Sequence, residues 1–288
     1  MSELTALLAR HCHQDVTPTA FPRLTLSRAP LAAGLTCAVY YPLFCVVARG
    51  SKRVFLGREE FRYDPNTYLI SSVDLPVTGE VLEAPCLGLV LALDPAVLAG
   101  VLLSLPAAPP EQKVYKAMAV NPLGDDLRDP LVRLLRLLDQ PADIPVLAPL
   151  IEREILYRLL LGPRGGMLRQ LALPSRELSQ VQRAIHLIRQ RYDQPIRVDE
   201  LARAAGMSAP SLHRHFRAVT AMSPLQFQKK IRLQEARRRL LTQETDATRV
   251  SFDVGYESPS QFSREYRRLF GAPPTRDTRR LRQQLAAG

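Results

Sequence analysis

The sequence predicts an α+β chain: an antiparallel sheet or small barrel with flanking helices, followed by an all-α part made of one unit used twice. Three observations predict it. Short apolar runs broken by turn residues give way near Pro95 to helical periodicity, a six-residue pattern recurs 49 positions downstream, and all of the excess positive charge falls in the last 114 residues. A chain of 288 residues has room for about two cores.

The sheet is read between about Pro18 and Ala92. Leu43 to Ala48, Lys52 to Leu56 and Tyr68 to Val73 are runs rich in Val, Leu, Tyr and Phe, with breaks at Gly50-Ser51 and Gly57. From Pro95 the period changes. Leu131, Leu134, Leu135 and Leu138 recur at helical spacing, and Ile151, Ile155, Leu156, Leu159 and Leu160 do so again after the break at Pro141 to Pro145. Gly162, Pro163, Gly165 and Gly166 end the second helix. These stripes serve as core or as a seam for self-association, so a homodimer is one expectation.

The third region, Leu178 to Arg280, holds the repeat. Leu201-Ala202-Arg203-Ala204-Ala205-Gly206 recurs as Val250-Ser251-Phe252-Asp253-Val254-Gly255, an offset of 49. After the glycines the offset becomes 50, so that Leu212, Arg214, Phe216 and Pro224 answer Phe262, Arg264, Tyr266 and Pro274. Each unit reads as a helix, a turn at Gly206 or Gly255, and a second helix opened by Ser208 or by Ser258 with Pro259. Leu212, Phe216 and Val219 in the first, and Phe262, Tyr266 and Leu269 in the second, form faces that bury. Ser223, Pro224 and Gln226 open a connector helix that runs to about Leu241.

Charge turns this pattern toward nucleic acid. From Ser175 to Gly288 there are 22 Lys or Arg against 11 Asp or Glu, a net +11, while the preceding residues hold 17 of each. Such asymmetry suits a polyanion, DNA or a membrane surface. The faces opposite the apolar ones present Ser211, His213, Arg214 and Arg217 in the first unit and Ser260, Ser263, Arg264, Arg267 and Arg268 in the second. An arginine fork matches guanine edges or phosphate oxygens. The connector is long enough to hold two such helices about one turn of DNA apart, roughly 34 Å. Its basic run, Lys229, Lys230, Arg232, Arg237, Arg238 and Arg239, is placed to reach phosphates between them.

These residues resemble the DNA-binding domain of the AraC/XylS family. The resemblance covers about 100 residues and rests on Gly206-Met207-Ser208, Leu212-x-Arg214-x-Phe216, Met222-Ser223-Pro224, Ala236-Arg237-Arg238-x-Leu240-Leu241, Val254-Gly255-Tyr256 and Phe262-Ser263-Arg264-x-Tyr266 through Phe270-Gly271-x-Pro273. It implies a regulator that binds double-stranded promoter DNA and works with RNA polymerase, with base-facing positions at Pro210, His213, Arg214, Pro259, Ser260, Ser263 and Arg264. Ala221 stands where the family usually has glycine, and Pro210 replaces a longer side chain. Val39-Tyr40-Tyr41-Pro42, Gly50-Ser51-Lys52-Arg53, Tyr63-Asp64, Tyr68 to Val81 and Glu152 to Gly162 are similar to the N-terminal domain of one branch of that family. This implies a cupin-like sensory or dimerisation domain over residues 1–170, with a helical segment at about 95–162, ahead of a DNA-binding domain over 175–288.

The remaining residues bound the chemistry. The stretch from Pro18 to Ala92 contains no histidine, so a metal-using cupin is not expected, and neither metal nor cofactor is. No nucleophile elbow, phosphate loop or dinucleotide fingerprint occurs, and catalysis has no support. Four cysteines at irregular spacing read as reduced thiols. Cys45 and Cys86 are candidate sensing residues, so a small-molecule effector and a cysteine-based response to electrophiles or oxidants both stand as control modes. A metal-binding cupin with a nucleic-acid-binding appendage and a non-specific architectural binder are the other readings. Pro30, Thr36 and Pro42 interrupt Ala29 to Ala48, and Asp94 and Pro95 break Leu87 to Leu103, so no membrane span is expected. The first residues lack a basic start ahead of an apolar stretch, and a cytoplasmic location is expected.

Overall fold

The computed structural model describes residues 2–32, 35–106, 115–242 and 246–286. They form two compact units, Met1–Ser179 with Ala218–Ala221, and Gln180–Arg217 with Met222–Gly288. Among the described residues no helix is long and apolar enough to cross a membrane.

The first unit is built on two long strands, β4 (Leu43–Leu56) and β7 (Leu75–Ala92), with shorter neighbours β1 (Val16–Pro18), β2 (Leu24–Ala29), β3 (Thr36–Tyr40), β5 (Glu59–Tyr63), β6 (Thr67–Ser71) and β8 (Met118–Pro122). β4 and β7 pair antiparallel from Leu43↔Ala92 to Phe55↔Thr78. At one end they sit within the order β1-β2-β7-β4-β6-β8; at the other, β3 joins β7 and β5 joins β4. The break expected at Gly50-Ser51 is instead a bulge inside one continuous strand, where the register shifts between Val47 and Lys52. A bulge inserts residues without ending the pairing and bends the strand. Gly50, at φ 77°, lets the chains approach there, since a Cβ would lie 2.3 Å from the Glu83 carbonyl oxygen. The bend brings the half-sheets face to face. Cys45 Sγ lies 4.0 Å from Tyr63 Oη, and Lys52 Nζ donates to Ser27 Oγ at 3.4 Å.

The helices cover one side of this sheet. They are α1 (Glu3–His11), α2 (Pro95–Leu102), α3 (Asp125–Arg136), α4 (Ile144–Leu161) and α5 (Gly165–Ala172). Leu24, Leu26, Phe44, Val46, Tyr68, Ile70, Leu89 and Leu91 share one core with Leu131, Leu135, Ile155 and Leu159 of the helices. Alternate strand residues such as Cys45, Val47 and Leu69 point the other way, between the half-sheets. Two expectations differ. Met118–Pro122, within the stretch read as helical, is strand β8 paired to β6; Met-Ala-Val-Asn-Pro is too short to carry a clear period. The glycines after Leu161 end α4 but α5 begins at once, with Gly165 held so close to Leu160 that a Cβ would lie 1.9 Å from its carbonyl oxygen.

One ion pair ties sheet to helix. Arg23, just before β2, donates Nε and Nη2 to the two oxygens of Glu152 on α4, each at 2.6 Å, and Glu152 is 1% exposed. Removing one partner of such a pair leaves the other charge uncompensated. Glu152→Ala is expected to lower stability by about 3 kcal/mol, and Glu152→Leu combined with Arg23→Met to recover most of it; denaturant unfolding of both variants checks this.

The second unit is helical: α6 (Arg176–Gln190), α7 (Val198–Ala205), α8 (Ala209–Thr220), α9 (Pro224–Thr242), α10 (Ala247–Asp253), α11 (Pro259–Phe270) and α12 (Pro274–Ala286). The repeat read from the sequence falls on α7–α8 and α10–α11, with α9 as the connector.

Candidate nucleic-acid interface

The first helix pair is set by its turn. Gly206 ends α7 at φ 71°, in the left-handed region that costs glycine little, and Met207 N donates back to the Ala202 carbonyl at 2.9 Å. Two side chains of α6 fix this turn from outside: Gln180 donates to the Gly206 carbonyl, and Arg183 to that of Ala205 at 2.9 Å. Ser208 Oγ accepts from the Ser211 amide at 3.4 Å, at the start of α8. The buried face is Leu212, Phe216 and Val219, with the Phe216 ring edge-on to Phe227 of α9 at 5.4 Å. Pro210, His213, Arg214 and Arg217 are exposed on the other face, and Ser211 is half-buried.

The second pair repeats this plan with different partners. Asp246 caps α10, its Oδ1 accepting from the Thr248 amide at 2.6 Å, and this bond holds the carboxyl below its usual range. Gly255 turns at φ 88°, where a Cβ would meet the Asp193 carbonyl oxygen at 1.9 Å. Arg232 of α9 donates to three carbonyls around this turn, those of Tyr192 at 2.5 Å, Gly255 at 2.6 Å and Gln194 at 2.8 Å. Ser258 Oγ caps α11 by accepting from Gln261 N at 3.4 Å. Phe262, Tyr266 and Phe270 form the buried column, with ring centroids 5.5 and 4.3 Å apart. Phe270 takes the place expected of Leu269, which is half-buried. On the outer face Ser260, Arg264, Arg267 and Arg268 are exposed, while Pro259 and Ser263 are half-buried.

The connector α9 differs from its sequence reading. It starts in a reciprocal cap, Ser223 N donating to Gln226 Oε1 at 2.9 Å and Gln226 N to Ser223 Oγ at 3.3 Å. Its 19 residues span about 28 Å at 1.5 Å per residue. Most of its cations, however, are turned to the protein. Lys229 donates to Glu265 of α11 at 2.8 Å. Burial raises the Glu265 carboxyl, but hydrogen bonds from Lys229, Tyr256 and Gln261 outweigh it and hold the carboxyl low. Arg238 and Arg239 both donate to Glu235, at 2.7 to 2.9 Å. Lys230 is half-buried and has a partner of its own. Arg237, 5% exposed, donates to both oxygens of Asp277 on α12 at 2.8 and 3.1 Å; Asp277 is 0% exposed and also accepts from Tyr266 and Arg280.

That cluster escaped the sequence reading. Arg237 does carry a signal, for it lies in the buried row of Leu233, Ala236 and Leu240, but Asp277 looks like an ordinary acid in the first turn of a helix.

The two candidate sensing thiols lie in the first unit. Cys45 and Cys86 are buried, and burial pushes both thiols up, with Lys52 acting weakly the other way. Neutral buried thiols are poor nucleophiles. Among the described residues no three His, Cys, Asp or Glu side chains stand together to hold a metal.

Comparison with known proteins adds lineage to this geometry. A family model described as the AraC-type transcriptional regulator N-terminus matches residues 20–167, and one described as a helix-turn-helix domain matches 201–280. Regulatory protein SoxS of Salmonella typhimurium is 35% identical over 101 residues, which are 35% of this chain and 94% of SoxS. The HTH-type transcriptional regulator CdhR of Pseudomonas aeruginosa is 33% identical over 132 residues, 46% of this chain and 37% of CdhR. The crystal structure of unsaturated fatty acid bound ToxT from Vibrio cholerae superposes with a TM-score of 0.56 over 88% of this chain and 94% of ToxT, at 10% identity, a likeness of fold alone.

Three outcomes follow from the geometry. Asp277→Ala is expected to lower stability by about 3 kcal/mol or more by stranding Arg237, read as an earlier denaturant midpoint, whereas Arg264→Ala on the exposed face leaves the midpoint within about 0.5 kcal/mol. Ala221 sits at φ 57° between α8 and α9. Ala221→Gly is expected to stabilise by about 1 kcal/mol by relieving that strain, seen as a higher unfolding temperature.

Proposed function

This chain belongs to the AraC family of transcription regulators, and from that premise we propose that it reads promoter DNA with the outer faces of α8 and α11 under control of a small molecule bound in its first unit. One observation carries the DNA reading: two helices of the same design, in the same repeated unit, bury one face on aromatic residues and expose arginine on the other. Arg214 with His213 on α8, and Arg264 with Ser260 and Ser263 on α11, stand at the positions suited to base edges. Arg217 and Arg268, a turn further along each helix, suit phosphates. Pro210 and Pro259, in the first turns, let the backbone come close to the duplex. Lys229 and Lys230 on α9 stand as candidate phosphate contacts between half-sites, Lys229 being also engaged with Glu265.

The effector reading is supported by the sheet architecture shared with ToxT, whose structure holds an unsaturated fatty acid. Pairing of two copies is supported by α4, where Val146, Leu150, Tyr157 and Leu161 form an exposed apolar stripe at helical spacing. Contact with RNA polymerase and a cytoplasmic site of action rest on family membership.

Footprinting of the full chain on genomic fragments is the direct test, and protection without any preferred sequence would overturn the reading. Arg264→Ala is expected to reduce discrimination between the preferred site and random DNA by about 1–3 kcal/mol. Arg217→Ala is expected to weaken all sequences alike and to lower the salt slope by about one. Gel shifts over a range of salt concentrations separate the two outcomes.

A further inference from the structure

The two helix pairs, α7–α8 and α10–α11, are joined by more than the length of α9. The loop between α6 and α7 leads into the first pair, yet side chains of α9 hold its backbone. Gln228 Nε2 donates to the carbonyls of Tyr192 and Gln194 at 3.0 and 2.7 Å, and Arg232 donates to the same two at 2.5 and 2.8 Å. The remaining Arg232 bond, from Nη1, goes to the Gly255 carbonyl at 2.6 Å, in the turn of the second pair. Loop and turn also meet directly, since a Cβ on Gly255 would lie 1.9 Å from the Asp193 carbonyl oxygen. Further along α9, Arg239 donates to Tyr192 Oη at 2.8 Å. Gln228 is buried and Arg232 half-buried, so water competes little for these carbonyls. The lead-in of one pair, the connector and the turn of the other thus converge on a single guanidinium.

A connector attached at one point fixes a distance and leaves a swivel; a second attachment removes the swivel. At its start α9 meets the first pair through the rings of Phe216 and Phe227, an apolar packing contact. The hydrogen bonds from Gln228 and Arg232 are directional, and they close a ring of chain from the loop through α7, α8 and α9 back to the loop. A planar guanidinium suits this post because it aims several donors at once from a rigid fork. We propose that Arg232, supported by Gln228, is a positioning residue that sets the spacing of α8 and α11, so that the chain selects promoter sites by the number of base pairs between two half-sites. The proposal rests on the reading that α8 and α11 enter DNA, and adds the rule by which half-sites are paired. Each added base pair shifts a half-site by about 3.4 Å and turns it by about 34° around the duplex. A fixed pair of helices engages both half-sites only at the matching gap, whereas a swivelling pair must be ordered at every gap and tolerates several.

The test uses the full chain and duplexes carrying the site found by footprinting, with the gap between half-sites kept or changed by single base pairs. Gel shifts give the ratio of affinities, original gap over altered gap. For the parent this ratio is expected to be about tenfold or more, since an altered gap forfeits contacts at one half-site. Arg232→Met is expected to cut it to about threefold or less, chiefly by weakening the original duplex. Gln228→Met, which carries no charge change, is expected to move the ratio the same way by less. Loss of a phosphate contact or of stability weakens every duplex alike, so an unchanged ratio in Arg232→Met overturns the proposal. Should circular dichroism show Arg232→Met unfolded, Gln228→Met decides: a lowered ratio upholds the proposal and an unchanged one overturns it. A parent that binds altered gaps as well as the original overturns it too, while leaving the DNA reading in place. A parent that protects no preferred site sinks that reading and this proposal together.

Discussion

Asp277 has no exposed surface, and its two oxygens take hydrogen bonds from Arg237 on α9, Tyr266 on α11 and Arg280 on its own helix. A carboxylate removed from water is tolerated only when its charge is met and its lone pairs are filled, so these groups have little freedom to separate. The connector α9, the helix α11 and the terminal helix α12 are thereby locked to one point. The Tyr266 ring is part of the aromatic column of α11, and the Arg237 guanidinium lies 4.6 Å from the Phe270 ring centre. The direction in which Arg264 and Arg268 leave the protein follows from this lock.

Arginine serves two opposed purposes in the second unit. Arg183, Arg232 and Arg237 face inward and satisfy carbonyls or a carboxylate at turns and helix ends. Arg214, Arg217, Arg264 and Arg268 are exposed on the outer faces of α8 and α11, Arg214 with one nitrogen 3.2 Å from His215 Nε2. The guanidinium suits both roles because it stays charged when partly buried and offers several donors in a rigid plane. Net charge therefore overstates the surface available to DNA. Much of the connector's positive charge neutralises acids of the same unit, and the exposed arginines lie on the outer faces of α8 and α11.

In the first unit the same physics applies to Glu152, a buried carboxylate met by an arginine from the edge of the sheet. The bulge of β4 folds one half-sheet over the other, giving the sheet one face for the helices and one face turned to the opposite half-sheet. Arg23 and Glu152 secure the helix side. The other face brings Cys45 Sγ to 4.0 Å from Tyr63 Oη and Lys52 Nζ to 3.4 Å from Ser27 Oγ.

The sequence by itself determined the α+β order, the duplicated helix-turn-helix and its glycine turns, because those features depend on local periodicity, capping and φ preferences that neighbouring residues encode. It also determined which arginines of α8 and α11 face outward, since a helix with one aromatic face has only one other face to show. Arg237 was legible in part from its place in the row of Leu233, Ala236 and Leu240, although a run of basic residues reads more naturally as a solvated surface. Tertiary structure alone decided that Gly50-Ser51 is a bend and not a strand end, that Met118–Pro122 is a strand, and that Asp277, Glu152 and Glu265 each meet a cation far along the chain. Pairing across 36 to 129 positions leaves no trace in local pattern, because it arises only when the fold brings separate elements together and removes their charges from water.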